Sequence, residues 1–187
     1  MPSIAGRYDI VGYLPTTPPF EMVVVTDSSG MQLVIKRAKL DALDEEMRAR
    51  VITAASTMQR LGNKVPNTVL FLESFEDDGY ACAVLEYCEV GTLAYILASA
   101  GEPDADGDRQ AFSEVEVLQW FVQVATALAG MHEQRVLHLN VNAGTVYLTS
   151  DGIAKLGDFE LSCALPEVCH YRHLQAGPCS FDPLHLR

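Results

Sequence analysis

The chain has 187 residues, of which 49% are hydrophobic, and a formal charge of −12 with a pI near 4.7. That apolar content excludes disorder as the default state, and the length suits one domain or two small lobes around a cleft. The acidity excludes a general affinity for nucleic acid or anionic membrane.

In chain order, Tyr8 to Leu14 is apolar-rich and is broken by Pro15-Thr16-Thr17-Pro18-Pro19. Met22 to Val25 and Leu33 to Ile35 are β-branched or apolar runs around the turn Asp27-Ser28-Ser29-Gly30, a hairpin pattern. A helix is predicted from about Ala42 to Leu61, capped by Asp41, with Met47, Val51, Ala54, Ala55 and Met58 on one face. Strands follow at Thr68 to Phe75 and Ala81 to Tyr87, then a short helix at Gly91 to Leu97. Gly101 to Gln110 reads as an acidic loop. Ser113 and Glu116 form an S-x-x-E capping box that opens a helix to about Glu133, with Val117, Leu118, Phe121, Val124, Ala125 and Leu128 inward. Short strands at Thr145 to Leu148 and Ala154 to Leu156 flank Ser150-Asp151-Gly152, and regular pattern ends after Asp158.

No apolar run reaches the roughly 20 residues of a membrane helix. Met1 to Arg7 lacks the order of a signal peptide. The cysteines Cys82, Cys88, Cys163, Cys169 and Cys179 are odd in number, which predicts a reduced, cytoplasmic chain with free thiols. Cys163, Cys169, His170, His173 and Cys179 are zinc-type donors, but no C-x₂₋₄-C pair groups them, so they read as loop residues.

Strands, one helix, two strands and then helices make an α+β arrangement with a sheet lobe before a helical lobe. The motifs fall in the order of a protein kinase. Leu33-Val34-Ile35-Lys36 resembles V-A-I-K, His138-Leu139-Asn140 resembles H-R-D, and Asp158-Phe159-Glu160 resembles D-F-G. The stretch from Ala176-Gly177-Pro178 to Asp182-Pro183-Leu184 resembles the one ending in A-P-E. Leu72 to Glu76, Glu86 to Glu89, Trp120 to Gln123 and Tyr147 to Phe159 make the chain similar to the NIMA-related serine/threonine kinases. The resemblance implies a single incomplete protein-kinase-like domain over 1–187, with the small lobe at 1–86 and part of the larger lobe at 87–187.

It also implies a set of site residues, and most depart from the pattern. Thr16 to Glu21 stands at the glycine-rich phosphate loop, holds no glycine, and puts Glu21 at its last glycine. Lys36 stands at the phosphate-gripping lysine, but Val51 occupies the place of its helix glutamate, leaving Lys36 without an anchor. Asn140 replaces the catalytic aspartate, and an amide oxygen is a very poor base. Asn142 replaces the catalytic-loop lysine and Thr145 a magnesium-holding asparagine. His138 reads as core packing. Asp158 is kept as a tentative magnesium ligand, while Glu160 replaces a glycine and reads as a loop residue pointing into water. Lys36, Glu86, Cys88 and Asp158 outline a tentative ATP cleft, with Leu85 as gatekeeper and Val23 and Val34 as its roof.

These departures predict a catalytically inactive, protein-binding or scaffolding module, with ATP and magnesium bound weakly if at all. The alternatives are a serine/threonine kinase with weak residual transfer, or a truncated fragment without function. The resemblance places further helices after the A-P-E position, so the apolar helix from Ser113 to Glu133 is expected to need a protein partner or self-association.

Overall fold

The computed structural model describes residues 2–100 and 112–165. The first strands are β1 (Ser3–Ile4), β2 (Tyr8–Leu14), β3 (Phe20–Thr26) and β4 (Gln32–Lys39). They are followed by α1 (Glu45–Leu61), β5 (Phe71–Asp77) and β6 (Tyr80–Glu86). The six strands form one antiparallel sheet in the order β1-β2-β3-β4-β6-β5. The Asp27 carboxylate accepts from Ser29 N–H and Met31 N–H at 2.8 and 2.9 Å and builds the predicted β3–β4 turn.

The pleat divides the sheet's residues between two faces. Val23, Val25, Leu33, Ile35, Cys82 and Val84 point into a core with Ile4 and Tyr8. The residues between them, Met22, Val34, Lys36 and Leu85, face the other way into a cleft. Val23 is fully buried in the outer core, so it is Met22 that joins Val34 as the cleft roof. A one-residue slip exchanges the two faces, and this is the error in the sequence assignment. The sheet also curls. Side chains of its last strand reach residues near its first: Ala5 N–H donates to Asp77 at 3.0 Å, and Arg7 pairs with Glu73 at 2.9 Å.

Helix α1 begins at Glu45 because Asp44, not Asp41, caps it, accepting from Met47 N–H at 2.7 Å. Asp41 lies in a 3-10 turn over Leu40–Ala42. The predicted inward face holds: Ala54 and Met58 are buried, and Met47, Val51 and Ala55 half-buried.

The second part comprises β7 (Gly91–Thr92), α2 (Leu93–Ala100), α3 (Glu114–Glu133) and β8 (Val136–Leu137), then β9 (Val146–Leu148), β10 (Ala154–Leu156) and β11 (Cys163–Ala164). Strands β8 and β11 were not predicted, and each is two residues long. The capping box at the start of α3 forms as expected, with Ser113 Oγ accepting from Glu116 N–H at 3.2 Å.

The buried face of α3 differs from the prediction. Trp120, Ala127 and Met131 are buried, and Val124 and Leu128 pack beside them. Trp120 donates its indole N–H to the Gly152 carbonyl at 3.2 Å, and Ala154 N–H donates to Gln123 Oε1 at 2.7 Å, so this face docks on β10. Val117, Leu118, Phe121 and Ala125 are exposed instead. The helix carries apolar residues on two faces, and periodicity alone does not say which one meets the sheet. Among the described helices, none is long and apolar enough to cross a membrane.

Cys163 is disulfide-bonded, against the expectation of free thiols, whereas Cys82 and Cys88 are free and buried. The acidic loop, the A-P-E-like stretch, Cys169, His170, His173 and Cys179 lie outside the described residues. Among the described ones, no group of three or more histidines, cysteines or acids could hold a metal.

Candidate functional site

A cleft of about 840 Å³ separates the curled sheet from the second part of the chain. This is the size of a small-molecule site. The small lobe contributes Phe20, Met22, Val34, Lys36 and Leu85, and the other wall contributes Asn140, Tyr147, Asp158 and Glu160. The segment Glu86 to Thr92 lines it between them.

Lys36 reaches the cleft because β4 alternates, with Arg37 sent to the opposite face. Its ammonium bonds Asp158 Oδ1 at 2.6 Å and also pairs with Glu160 Oε1. The three side chains are 16%, 26% and 19% exposed. The Phe20 ring lies 4.8 Å from the same ammonium, within cation–π range. Burial alone would pull the Lys36 ammonium down, but the charges of Asp158 and Glu160 outweigh it and raise it.

Two sequence readings are corrected here. Glu160 does not point into water. It supplies Lys36 with the carboxylate that position 51 lacks, so Lys36 is anchored after all. Val51 borders a smaller cavity beside Lys36 and Glu160, whereas Glu46 pairs with Arg50 at 2.7 Å. Glu21 brings no charge into the cleft. It sits across the ladder from Arg37, on the far face, and bonds it at 2.7 Å.

Asp158 has a left-handed backbone, φ +60, which turns the chain into a 3-10 turn over Phe159–Leu161. Gly157 must precede it, because a Cβ there would stand 2.9 Å from the Tyr147 ring and from Val69. That close approach lets the Tyr147 hydroxyl donate to Asp158 Oδ2 at 3.1 Å. Burial, and then the charge of Asp158, push the Tyr147 hydroxyl well above its usual range. Both oxygens of Asp158 are thus engaged, one by Lys36 and one by Tyr147.

Phe159 is buried against His138, ring centres 5.3 Å apart. His138 Nε2–H donates to the Gly157 carbonyl at 2.8 Å, and Nδ1 accepts from Asn140 N–H. Burial lowers this imidazole's pKa, so His138 is a neutral structural pillar.

Asn140 borders the cleft, but its side-chain oxygen accepts from Asn142 Nδ2 at 3.1 Å. Asn142 Oδ1 accepts from Gly144 N–H at 2.8 Å, and the Thr145 hydroxyl donates to the Asn140 carbonyl at 2.8 Å. The three substituted residues hold one another in a closed turn. A magnesium ion takes carboxylate oxygens at near-octahedral geometry, and at Asp158 it would compete with Lys36 and Tyr147. Asn140, Asn142 and Thr145 are bonded among themselves.

At the other end, Glu86 N–H donates to the Leu70 carbonyl at 3.0 Å, and the Glu86 side chain pairs with Lys155. The Cys88 carbonyl accepts from Gly91 N–H at 3.1 Å. Burial, and then the charge of Glu86, push the Cys88 thiol up to about 12. Met22, Tyr147 and Lys155 were missed as site residues in the sequence. Tyr147 and Lys155 stand directly opposite on β9 and β10, but their hairpin alone does not reveal a third partner on β4 or β6.

A protein kinase domain model matches residues 22–178. The chain belongs to the protein kinase family. Among curated proteins, this kinase-family chain is similar to serine/threonine-protein kinase Nek1 of Mus musculus. The two are 31% identical over 145 residues, which is 77% of this chain and 11% of Nek1. Nek3 of Mus musculus is 31% identical over 154 residues, 80% of this chain and 28% of Nek3. Nek4 of Mus musculus is 34% identical over 137 residues, 73% of this chain and 16% of Nek4. The kinase-family chain therefore spans between 11% and 28% of the length of these relatives.

Proposed function

We propose that this chain is a non-catalytic kinase-family module that acts by binding protein. One observation carries the reading: Lys36 is held by Asp158 and Glu160, and an amide stands where the base belongs. Phosphoryl transfer depends on an anchored lysine that holds phosphate, a metal-holding carboxylate and a positioned base. Here Lys36 and Asp158 are paired together, Glu160 adds a second carboxylate, and an amide tied to Asn142 stands in the place of the base.

The surface for a partner is the outer face of α3. Val115, Leu118, Phe121 and Val122 are 63%, 58%, 70% and 59% exposed, along one side of a single helix. A contiguous apolar patch of that kind marks an interaction surface.

Transfer of radiolabelled phosphate from magnesium-ATP to a generic protein substrate tests the catalytic half. No incorporation above a protein-free blank is expected. Robust incorporation would refute it and favour a second reading, a weakly active serine/threonine kinase. That reading has the retained Lys36–Asp158 pair, the cleft and the names of the relatives on its side. Sedimentation velocity tests the binding half, with self-association or partner capture expected through α3.

A further inference from the structure

Strand β9 alternates as a pleated strand must. Val146 and Leu148 are buried in the core, and Tyr147 between them turns the other way and lines the cleft. Its ring lies against Gly157, where an added Cβ would stand 2.9 Å from the ring edge. Glycine at 157 is what lets the ring reach the backbone beside Asp158. At the tip of the ring the hydroxyl donates to Asp158 Oδ2 at 3.1 Å, while the Lys36 ammonium holds Oδ1 at 2.6 Å. In a protein kinase the aspartate at this place holds magnesium. Two donors of this chain therefore stand on the oxygens that such an ion would need.

The two donors are not equivalent. Lys36 has a flexible stem and a second carboxylate, Glu160, so its ammonium can leave Asp158 and keep an ionic partner. Tyr147 is a short, rigid side chain packed on Gly157, so its hydroxyl stays where the strand puts it. Burial and the Asp158 charge hold that hydroxyl protonated. It offers the carboxylate a proton, and it offers a metal no oxyanion. We propose that Tyr147 is the residue that keeps divalent cations off Asp158, by holding Oδ2 with its hydroxyl. The carboxylate is retained in the sequence and silenced by a neighbour. The proposal deepens the non-catalytic reading and rests on it, since it names what disables a site residue that substitution spared.

Phenylalanine at 147 keeps the ring on Gly157 and removes only the hydroxyl. An ion at Oδ2 then has no charge-assisted hydrogen bond to displace. The test titrates manganese(II), a paramagnetic stand-in for magnesium, into the whole chain without nucleotide, and reads the free ion by electron paramagnetic resonance. Tyr147→Phe should bind about tenfold tighter than the native chain. With a net charge of −12 the chain collects cations elsewhere too, so Tyr147→Phe with Asp158→Asn is the control and should return to the native value. Equal affinity in Tyr147→Phe and the native chain overturns the proposal, and so does a gain that survives Asp158→Asn. A tyrosine of purely structural importance would change the melting temperature and leave manganese affinity alone. Where Tyr147→Phe does not fold, Asp158→Asn alone is the second handle. It should leave manganese binding unchanged, because Asp158 is already held, and a loss of affinity overturns the proposal. Failure of the Tyr147 comparison leaves the non-catalytic reading standing on Asn140. Phosphate transfer by the native chain overturns that reading whatever the manganese result.

Discussion

Replacing Lys36 with methionine probes the centre of the cleft directly. Methionine keeps the length and the packing against Phe20 but removes the charge. Asp158 and Glu160 are then left facing one another without a counter-ion. Removing one partner of a buried pair costs roughly 3–5 kcal/mol. These groups are 26% and 19% exposed, so water softens the loss, and about 2–4 kcal/mol is expected. For a chain of this length that lowers the melting temperature by roughly 5–15 °C. Thermal unfolding followed by circular dichroism measures it. The pH dependence carries the sign. In the native chain Lys36 is raised, so its contribution is complete below the ordinary lysine range and is lost as pH climbs through the raised value. In Lys36→Met, acidification should instead recover stability, because a proton on either carboxylate ends their repulsion. Adding Glu160→Gln should recover about half of the loss near neutral pH, since the like-charge contact is gone. A loss below about 0.5 kcal/mol, unchanged by acid, would refute the idea that Lys36 holds the two carboxylates together.

Asn140→Asp alone should give no measurable phosphate incorporation, because Asp158 stays bonded to Lys36 and Tyr147. A radiolabel assay checks it, and robust transfer by that single variant contradicts the expectation. Phe121→Ser with Leu118→Gln should shift sedimentation toward the monomer while changing stability by less than about 1 kcal/mol, since both side chains are exposed. His138 is depressed by burial, so its share of stability is present above the ordinary histidine range and is lost as pH falls below about 6.5. A His138→Gln variant should lose that acid limb in a melting series against pH. Gly157→Ala should destabilise by roughly 1–3 kcal/mol through overlap with Tyr147 and Val69, read from denaturant midpoints.

The fold was legible where local chemistry decides it. The Asp27 turn, the Ser113–Glu116 capping box and the inward face of α1 follow from residues a few positions apart. The cleft was legible only in part. Lys36 and Asp158 were identifiable from their flanking motifs, but their bond spans 122 positions, and nothing near Glu160 signals that its carboxylate turns toward β4. Val23 was taken for Met22 because Pro15 to Pro19 hides the count that sets strand parity. Counting back from the turn, where Thr26 pairs with Gln32, would have placed Glu21 opposite Arg37. Helix α3 was misread for a different reason. With apolar residues on two faces, the sequence has two consistent solutions, and the bonds of Trp120 to Gly152 and of Gln123 to β10 select one.

The curl of the six-stranded sheet bears on how copies of this chain would meet. An open sheet ends in two rows of unpaired peptide groups, each able to recruit a foreign strand. Here the first strand is two residues long, and Arg7 and Ala5 beside it are tied to Glu73 and Asp77 of the last. Each margin of the sheet is thereby guarded by the other, with charged side chains between them. Copies that associate through the outer face of α3 would do so by side chains alone, giving contacts that dilute apart rather than growing into fibrils.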